Sequence, residues 1–282
     1  MSGADPYVYP GTSVLRNLAG LRDQRSLEEY ERRVTSIRAD HLASEPATGK
    51  FDLEHLKSIH KHIFQDVYPW AGQLRTVEIS KGTTQFAPLK THAHTLESWG
   101  GVLMAELKKE HHLAGLDRER FIDRLTHHTS ELNFLHPFRE GNGRTTREFV
   151  RQLAQHAGYQ VDYQRIEPAE WNRAAAQSND STRAWRDLYD RATTSLRALS
   201  FERDPRHEAL QWHPELKGAY AALDRANAAA ERIADKQVRE SFMAERRTEI
   251  AAILHTGRVI AEPQRQAEKT LDKPPAPRGF ER

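Results

Sequence analysis

Twelve residues near the middle of the chain carry a dense set of groups suited to phosphate chemistry. They run from His136 to Arg147 as His-Pro-Phe-Arg-Glu-Gly-Asn-Gly-Arg-Thr-Thr-Arg. His136 supplies an imidazole, which titrates near neutral pH and can take a proton from an incoming hydroxyl. Glu140 supplies a single carboxylate, the usual protein ligand of Mg²⁺ beside bound phosphates. This inventory predicts nucleotidyl or phosphoryl transfer, where positioning and charge neutralisation provide most of the catalysis.

The same segment predicts a site for an anion. A Gly-Asn-Gly turn at Gly141, Asn142 and Gly143 precedes a predicted helix, whose first backbone N–H groups have no partner within the helix. The glycines let the backbone approach a phosphate without interference from a Cβ atom. Arg144 and Arg147 are three residues apart, so they project from one helix face and can make forked contacts with phosphate oxygens.

A mainly helical body is predicted to position this loop. Asp52 is a predicted N-cap, and Gly158 is a predicted C-terminal stop. Apolar residues at helical spacing predict helices over 26–43, 52–64, 91–110, 117–134, 142–156, 168–179 and 181–199.

Residues 74–88 differ from the rest of the body, because apolar and polar side chains alternate there. Val77 and Ile79 alternate with polar neighbours, and Lys81-Gly82 is a turn signal. The segment predicts a short β-hairpin, exposed on a helical body, as the only clear strand pair.

The chain changes character after residue 200, and we expect one domain over 1–200 and a helical appendage over 201–262. Residues 201–214 are predicted to be a linker, and amphipathic stripes predict a helical hairpin from 215–233 and 235–255. The stripe is either the buried seam of the pair or a docking surface. Residues 263–282 are rich in proline and are predicted to be a disordered tail.

Composition excludes several classes of protein. The 282 residues include no cysteine, which excludes disulfides and thiolate chemistry and suits a reducing cytosol. The net charge of +2 comes from interleaved basic and acidic residues, so nucleic-acid binding is not predicted. No apolar run approaches the ~20 residues needed to span a bilayer, and the opening residues lack the pattern of a signal peptide. We therefore expect a cytoplasmic protein, with secretion as an effector left open.

The loop resembles the signature of the Fic-domain proteins, His-Pro-Phe-x-(Asp/Glu)-Gly-Asn-Gly-Arg-x-x-Arg, at every defined position of 136–147. Residues 64–75 resemble the segment that leads into the Fic flap, and the hairpin at 74–88 resembles the flap itself. Residues 5–11 are similar to the N-terminal segment of many bacterial members. The resemblance covers roughly residues 5–200 and implies a Fic-type helical bundle with a β-hairpin flap.

The resemblance implies a Mg²⁺-dependent transfer of AMP from ATP to a Ser, Thr or Tyr hydroxyl of a target protein. By similarity His136 is the general base, Phe138 anchors the loop and Glu140 holds Mg²⁺. The flap, made by Val77, Glu78, Ile79, Ser80, Lys81 and Gly82, would hold the target by strand-like pairing.

The phosphates are assigned to the second half of the loop by the same resemblance. Gly141, Asn142 and Gly143 form the hole for the α- and β-phosphates, Arg144 contacts the β-phosphate and Arg147 the γ-phosphate. The intact Gly-Asn-Gly-Arg stretch favours AMP over phosphate transfer. A different nucleotide-linked donor, and an inactive Fic fold that serves as an interaction module, remain as alternatives.

Many members carry an inhibitory helix with the pattern Ser/Thr-x-x-x-Glu-Gly/Asn, and its absence here predicts an external inhibitor. The only Glu followed by Gly or Asn is Glu140, in the active loop. This resembles the toxin–antitoxin arrangement, in which a separate small antitoxin supplies the helix. By resemblance to such bacterial toxins, we expect the ATPase subunit of DNA gyrase, or topoisomerase IV, as the target.

Overall fold

The computed structural model describes residues 5–82 and 84–262; the predicted disordered tail at 263–282 lies outside the described residues. The described part is mainly helical, with two small antiparallel sheets. Its α-helices are α1 Gln24–Ser44, α2 Leu53–Phe64, α3 Leu96–Lys109, α4 Arg118–Leu135, α5 Asn142–His156, α6 Pro168–Gln177, α7 Arg183–Ala192, α8 Leu196–Arg203, α9 Arg206–Trp212, α10 Lys217–Ala230 and α11 Lys236–His255. Its strands are β1 Ser80–Lys81, β2 Thr84–Gln85, β3 Tyr159–Val161 and β4 Thr193–Ser195.

Aspartate caps begin two of the predicted helices, and a glycine ends a third. The Asp52 carboxylate accepts the His55 backbone N–H at 2.8 Å and caps α2. The Asp117 carboxylate caps α4 in the same way, at 3.0 Å from the Arg120 backbone nitrogen. Gly158 follows α5 with a φ of +85°, a conformation that glycine adopts without strain. The predictions of the first six helices of the body, and of Gly158 as a stop, are confirmed, although the helix predicted from 91 begins at Leu96, after the Thr95 cap.

The predicted helix at 181–199 is wrong at residues 193–195, where a strand divides it into two helices, α7 and α8. α7 ends at Ala192, and the next three residues form β4, which pairs with β3 in the register Tyr159↔Ser195 and Val161↔Thr193. Thr193 and Ser195 are buried in this pair, and β-branched residues suit a pleated surface. The hairpin at 74–88 is therefore not the only strand pair.

The predicted linker at 201–214 is also wrong, because the chain is helical there. α8 extends through Arg203 and α9 follows directly, with buried Phe201 and Ala209 as packing residues. These helices join α10 and α11 around a second core that includes Leu216 and Leu254. The predicted helical hairpin is confirmed, although Val238, an apolar residue of its second helix, is 56% exposed.

The main core surrounds the junction of α2, α4 and α5, directly beneath the loop that joins the last two. Phe64, Leu125, Phe149 and Leu153 are almost completely buried there. Burial of one such side chain contributes about 1.5–3 kcal/mol, so packing in this core holds both helices that the loop connects.

The hairpin flap is present but shorter than predicted. β1 and β2 have two residues each, paired as Ser80↔Gln85 and Lys81↔Thr84. Val77, Glu78 and Ile79 precede the first strand and lie outside the ladder, with a bend at Val77. Within the described ranges, no helix combines the length and the apolar character needed to cross a bilayer.

Candidate functional site

The loop between α4 and α5 is fixed by its own backbone and by one buried amide. His136 ends α4 with a φ of +42°, and Gly141 precedes α5 with a φ of +86°. The Asn142 side chain accepts the Phe138 N–H at 2.9 Å and donates to the Phe138 carbonyl at 2.7 Å. Both ends of the Asn142 amide are thus engaged within the loop, so its backbone N–H is the group left to face a ligand.

Phe138 anchors the loop against a buried histidine of α2. Its ring is 1% exposed and stacks on His60 with 3.9 Å between the centroids. His60 Nδ1 accepts the Gly72 N–H at 2.8 Å, so the proton lies on Nε2, which donates to the Glu140 carbonyl at 3.0 Å. Burial lowers the pKa of His60 to about 4 and keeps the ring neutral.

His136 lies in the tautomer that a general base requires. Its Nδ1 is 3.1 Å from the Asn133 carbonyl oxygen, which can only accept, so Nδ1 carries the proton and Nε2 carries the lone pair. Burial lowers the pKa of His136 to about 4, and the charges of Arg75 and Lys81 act in the same direction. The imidazole is therefore neutral at pH 7.

The buried Arg75 holds the backbone at His136 by hydrogen bonds. Arg75 donates from Nε to the His136 carbonyl at 2.9 Å and from its backbone N–H to the Pro137 carbonyl at 2.8 Å. Its guanidinium also donates to the carbonyls of Val77 and Ala87, on the two sides of the flap. Arg75 thus connects the flap to the loop.

The N-terminus of α5 presents three backbone N–H groups to one cavity. The first bond of the helix runs from the Thr145 N–H to the Gly141 carbonyl at 3.1 Å. The N–H groups of Asn142, Gly143 and Arg144 therefore have no intrahelical acceptor, and the helix dipole adds a partial positive charge at the same place. The arrangement fits a phosphate group.

The two arginines of α5 have different surroundings. The Arg144 guanidinium forms an ion pair with Glu31 and donates from Nη1 to Thr35 Oγ1 at 3.0 Å. The Arg147 guanidinium lies over the Trp171 ring, 5.2 Å from its centroid. Across residues 5–82 and 84–262, no carboxylate lies within ion-pair distance of Arg147.

Glu140 fits a Mg²⁺ ion that would share its coordination with a nucleotide. The carboxylate is 46% exposed at the edge of the cavity, 3.7 Å from Arg144 Nη2. In the part of the chain that the structure describes, no three or more His, Asp or Glu residues form a metal cluster. A single carboxylate suits Mg²⁺, which takes its other ligands from phosphate oxygens and water.

The flap, the loop and α6 enclose one cavity of about 550 Å³. The predicted residues His136, Glu140, Gly141, Asn142, Gly143, Arg144, Arg147, Ile79, Ser80 and Lys81 all line it. Phe138 is buried beneath it, while Val77, Glu78 and Gly82 lie elsewhere on the flap.

Several cavity residues were not found from the sequence. Trp171 and Asn172 of α6 line the cavity, and Phe86 stacks on His136. In the sequence Trp171 is one more apolar position of an amphipathic helix, so nothing there indicates its place beside the loop. Phe86 could have been suspected, because it closes the predicted flap segment.

Comparison with known proteins gives a consistent family. The family model "Fic/DOC family" matches residues 50–154. The protein "Probable protein adenylyltransferase Fic" of Escherichia coli is 43% identical over 172 residues, which are 61% of this chain and 83% of that protein. The chain therefore belongs to the Fic/DOC family. "Protein adenylyltransferase VbhT" of Bartonella schoenbuchensis is 47% identical over 174 residues, which are 62% of this chain but 36% of that longer protein.

Solved structures agree with this family. The BepC effector of Bartonella tribocorum with bound AMPPNP has a TM-score of 0.59 at 25% identity, covering 67% of this chain and 96% of that one. The N-terminal Fic domain of a VirB-translocated effector of Bartonella quintana, with bound ADP, has a TM-score of 0.59 at 27% identity, covering 68% and 96%. The Fic-type helical fold predicted from the loop is confirmed.

Proposed function

We propose that this protein transfers AMP from ATP to a hydroxyl side chain of a target protein. The observation that carries the proposal is the shared cavity, which is lined both by His136, with its lone pair on Nε2, and by the three residues at the start of α5 whose N–H groups have no intrahelical acceptor. A base and an anion cradle in one cavity suit attack of a hydroxyl on a bound phosphate. The bound AMPPNP and ADP of the related structures, and the names of the relatives, support the choice of ATP.

The reaction balances as an in-line displacement. The target hydroxyl oxygen forms a bond to the α-phosphorus of ATP, and the bond from that phosphorus to the bridging oxygen of the β-phosphate breaks. The hydroxyl proton passes to His136 Nε2, and pyrophosphate leaves. The N–H groups of Asn142 and Gly143, with Arg144 and Arg147, hold the phosphates while charge builds on the leaving group. Mg²⁺, held by Glu140, would neutralise phosphate charge when bound.

The flap is proposed to hold the target as an added strand. Lys81 and Ser80 lie at the edge of the cavity, and the two-residue ladder leaves most of the flap backbone outside any sheet. Main-chain pairing gives affinity with little selection of sequence, so the flap would present a loop of the target to His136.

An external inhibitor is proposed to act at Arg147. Its guanidinium lies in the cavity over Trp171, and no carboxylate of the described residues occupies it. A helix from a separate antitoxin could therefore place a glutamate against Arg147 and exclude the γ-phosphate. On this basis the protein would act as a bacterial toxin in the cytoplasm, with secretion as an effector as the other route to a target. Expression of the chain alone in a bacterium tests this proposal. The wild-type chain should arrest growth, and the Arg147→Ala variant should not.

Residues 1–200 are proposed as the catalytic unit and 201–262 as a helical appendage. The two separate hydrophobic cores support this division.

The preferred targets are the ATPase subunit of DNA gyrase and topoisomerase IV.

Labelled ATP tests the reaction and its main alternative. Purified protein is incubated with a host lysate and with ATP labelled at either the α- or the γ-phosphate. Label from the α-position alone supports AMP transfer, and mass spectrometry then finds the adduct on DNA gyrase or another protein. Label from the γ-position would indicate a kinase instead, and no label from either would favour another donor or an interaction module. The His136→Ala variant is the control that must lose the signal.

A further inference from the structure

The Arg144 guanidinium is enclosed by residues of α1 and α2 that lie behind the cavity. Its Nη2 pairs with the Glu31 carboxylate, and its Nη1 donates to Thr35 Oγ1 at 3.0 Å. Its central carbon lies 4.7 Å from the centroid of the Phe64 ring, which is completely buried. Three different groups therefore restrict one long side chain that would otherwise sample many rotamers.

Glu31 is itself held in place. One carboxylate oxygen pairs with Arg144 and the other accepts a hydrogen bond from the Tyr68 hydroxyl. Tyr68 is 2% exposed, and burial together with the negative charge of Glu31 raises the pKa of its phenol, which stays a donor. Thr35 follows Glu31 by one turn of α1, so both face Arg144 from the same side of that helix.

This pairing leaves Arg144 able to bind a ligand. A guanidinium has five N–H donors, and two of them are taken by Glu31 and Thr35. Arg144 lines the cavity, whereas Glu31 and Thr35 do not. A phosphate can therefore contact the remaining donors without displacing the carboxylate.

We propose that Glu31, through its ion pair with Arg144, is a positioning residue for nucleotide binding in this protein. The proposal rests on the proposed function, in which Arg144 contacts the β-phosphate. Because the guanidinium is already oriented before the nucleotide arrives, less side-chain entropy is lost on binding. Glu31 lies in α1, outside the residues matched by the family model.

Substitutions at Glu31 test the proposal. In Glu31→Ala, Arg144 is released, and both the Kd for Mg²⁺-ATP and the KM for ATP should rise roughly tenfold, the usual effect of losing a charged hydrogen bond. The kcat should change much less, because Arg144 still reaches the phosphate once ATP is bound. Glu31→Gln keeps an acceptor and should lie between. The matched control is Glu29→Ala, an exposed position on the same helix, which should bind as the wild type does.

A double-mutant cycle separates positioning from a general effect on the fold. In the Arg144→Ala background, Glu31→Ala should cause no further rise in the Kd or the KM. An equal further rise there would show that Glu31 does not act through Arg144 and would overturn the proposal. Tighter ATP binding by Glu31→Ala would also overturn it, because Glu31 would then be a competitor of the nucleotide. Thermal unfolding of each variant identifies any loss that comes from instability.

A structural measurement that needs no turnover tests the positioning role separately from AMP transfer. Crystal structures of Glu31→Ala and Glu29→Ala should differ in one respect, a displaced or disordered Arg144 guanidinium in the former. If the wild type transfers no AMP but Arg144 is displaced and ATP binding weakens, the proposed function fails and the positioning role stands. If Arg144 keeps its place without Glu31, the positioning role fails whatever the activity.

Discussion

The Phe86 ring stacks directly on the His136 imidazole, with 3.6 Å between the centroids and 17° between the planes. This contact joins the end of the flap to the proposed base and contributes to the burial that lowers the pKa of His136 to about 4. The flap therefore influences both access to His136 and its protonation.

Phe86→Ala should move the acid limb of the pH–rate profile to higher pH. Removing the ring exposes the imidazole to water, which stabilises its charged form and raises its pKa from about 4 toward 6.5. The acid limb of kcat/KM reports the pKa in the free enzyme, so the midpoint of this limb should move to higher pH by roughly one unit. The measurement is kcat/KM for AMP transfer between pH 3.5 and 8, a range that includes the wild-type limb.

The control for this variant is Gln85→Ala, at the neighbouring exposed position of β2. It shortens a flap side chain without uncovering His136, so its acid limb should coincide with that of the wild type. A Phe86→Ala profile that keeps the wild-type limb would show that the pKa of His136 does not depend on this ring.

Gly141→Ala should destabilise the loop more than the same change at a matched glycine. A Cβ atom at Gly141 would collide with the Phe64 ring, in a backbone with a φ of +86°. At Gly158 the φ is +85° and no atom lies within 4 Å of the added Cβ. Gly158→Ala should therefore lose about 1 kcal/mol from the left-handed backbone alone, and Gly141→Ala a further 1–3 kcal/mol, roughly, from overpacking.

Urea unfolding of the two variants at pH 7.5 measures this difference, and AMP transfer measures its effect on the site. Equal losses of unfolding free energy would mean that Phe64 moves aside, and the close approach would then have no energetic role. Intact AMP transfer by Gly141→Ala would argue against a rigid anion cradle.

The helical body could be predicted because its signals are local. Asp52 and Asp117 cap the helices that they precede, and Phe149 and Leu153, two apolar residues of the helix predicted at 142–156, lie in the core. β4 was missed because its three residues pair with β3, more than thirty positions earlier, and have no alternation long enough to detect. The polar residues of 201–214 favour a linker, but Phe201 and Ala209 pack on helices that follow much later in the chain.

The site was predicted to the extent that it is contiguous in sequence. The motif from 136–147 contains the groups that line the cavity from the loop. Glu31 contacts Arg144 and Trp171 contacts Arg147, each from a distant helix. A single sequence contains no signal for such contacts. The buried role of the Asn142 amide was also not predicted, because the loop backbone that it holds becomes defined only in the folded chain.

Acid should destabilise the fold through its buried neutral histidines. His60 has a pKa of about 4 in the folded protein and about 6.5 when unfolded, so between these values the unfolded state binds more protons. The contribution of His60 to the free energy of unfolding is fully present above pH 6.5 and is lost as the pH falls toward 4. At ~1.4 kcal/mol per pKa unit, it amounts to about 3 kcal/mol.

The free energy of unfolding in urea, measured from pH 7.5 to 4.5, tests this dependence. His60→Gln should be less stable at pH 7.5, because Gly72 and Glu140 lose their partner, but its stability should fall less on acidification. His92→Gln, at an exposed position, should follow the wild-type curve. A His60→Gln curve parallel to that of the wild type would assign the acid sensitivity to other groups.

Gly257 should prove essential for docking the C-terminal helices on the main body. It follows α11 with a φ of +79°, and a Cβ atom there would overlap the Tyr159 hydroxyl and lie 2.9 Å from the Arg118 backbone nitrogen. The same turn supplies the Thr256 carbonyl, which accepts the Arg118 N–H at 3.0 Å. Gly257→Ala would therefore force the two parts of the chain apart at this contact.

Gly115 provides the matched control, since its φ is also +79° and no atom lies within 4 Å of an added Cβ. Gly115→Ala should lose about 1 kcal/mol, and Gly257→Ala roughly 2–4 kcal/mol, in urea unfolding. Because the close contact involves Tyr159 and Arg118 rather than the cavity, folded Gly257→Ala protein should keep its affinity for ATP. Equal stability of the two variants would show that the C-terminal helices adjust without cost, and weakened ATP binding by Gly257→Ala would show that they support the site directly.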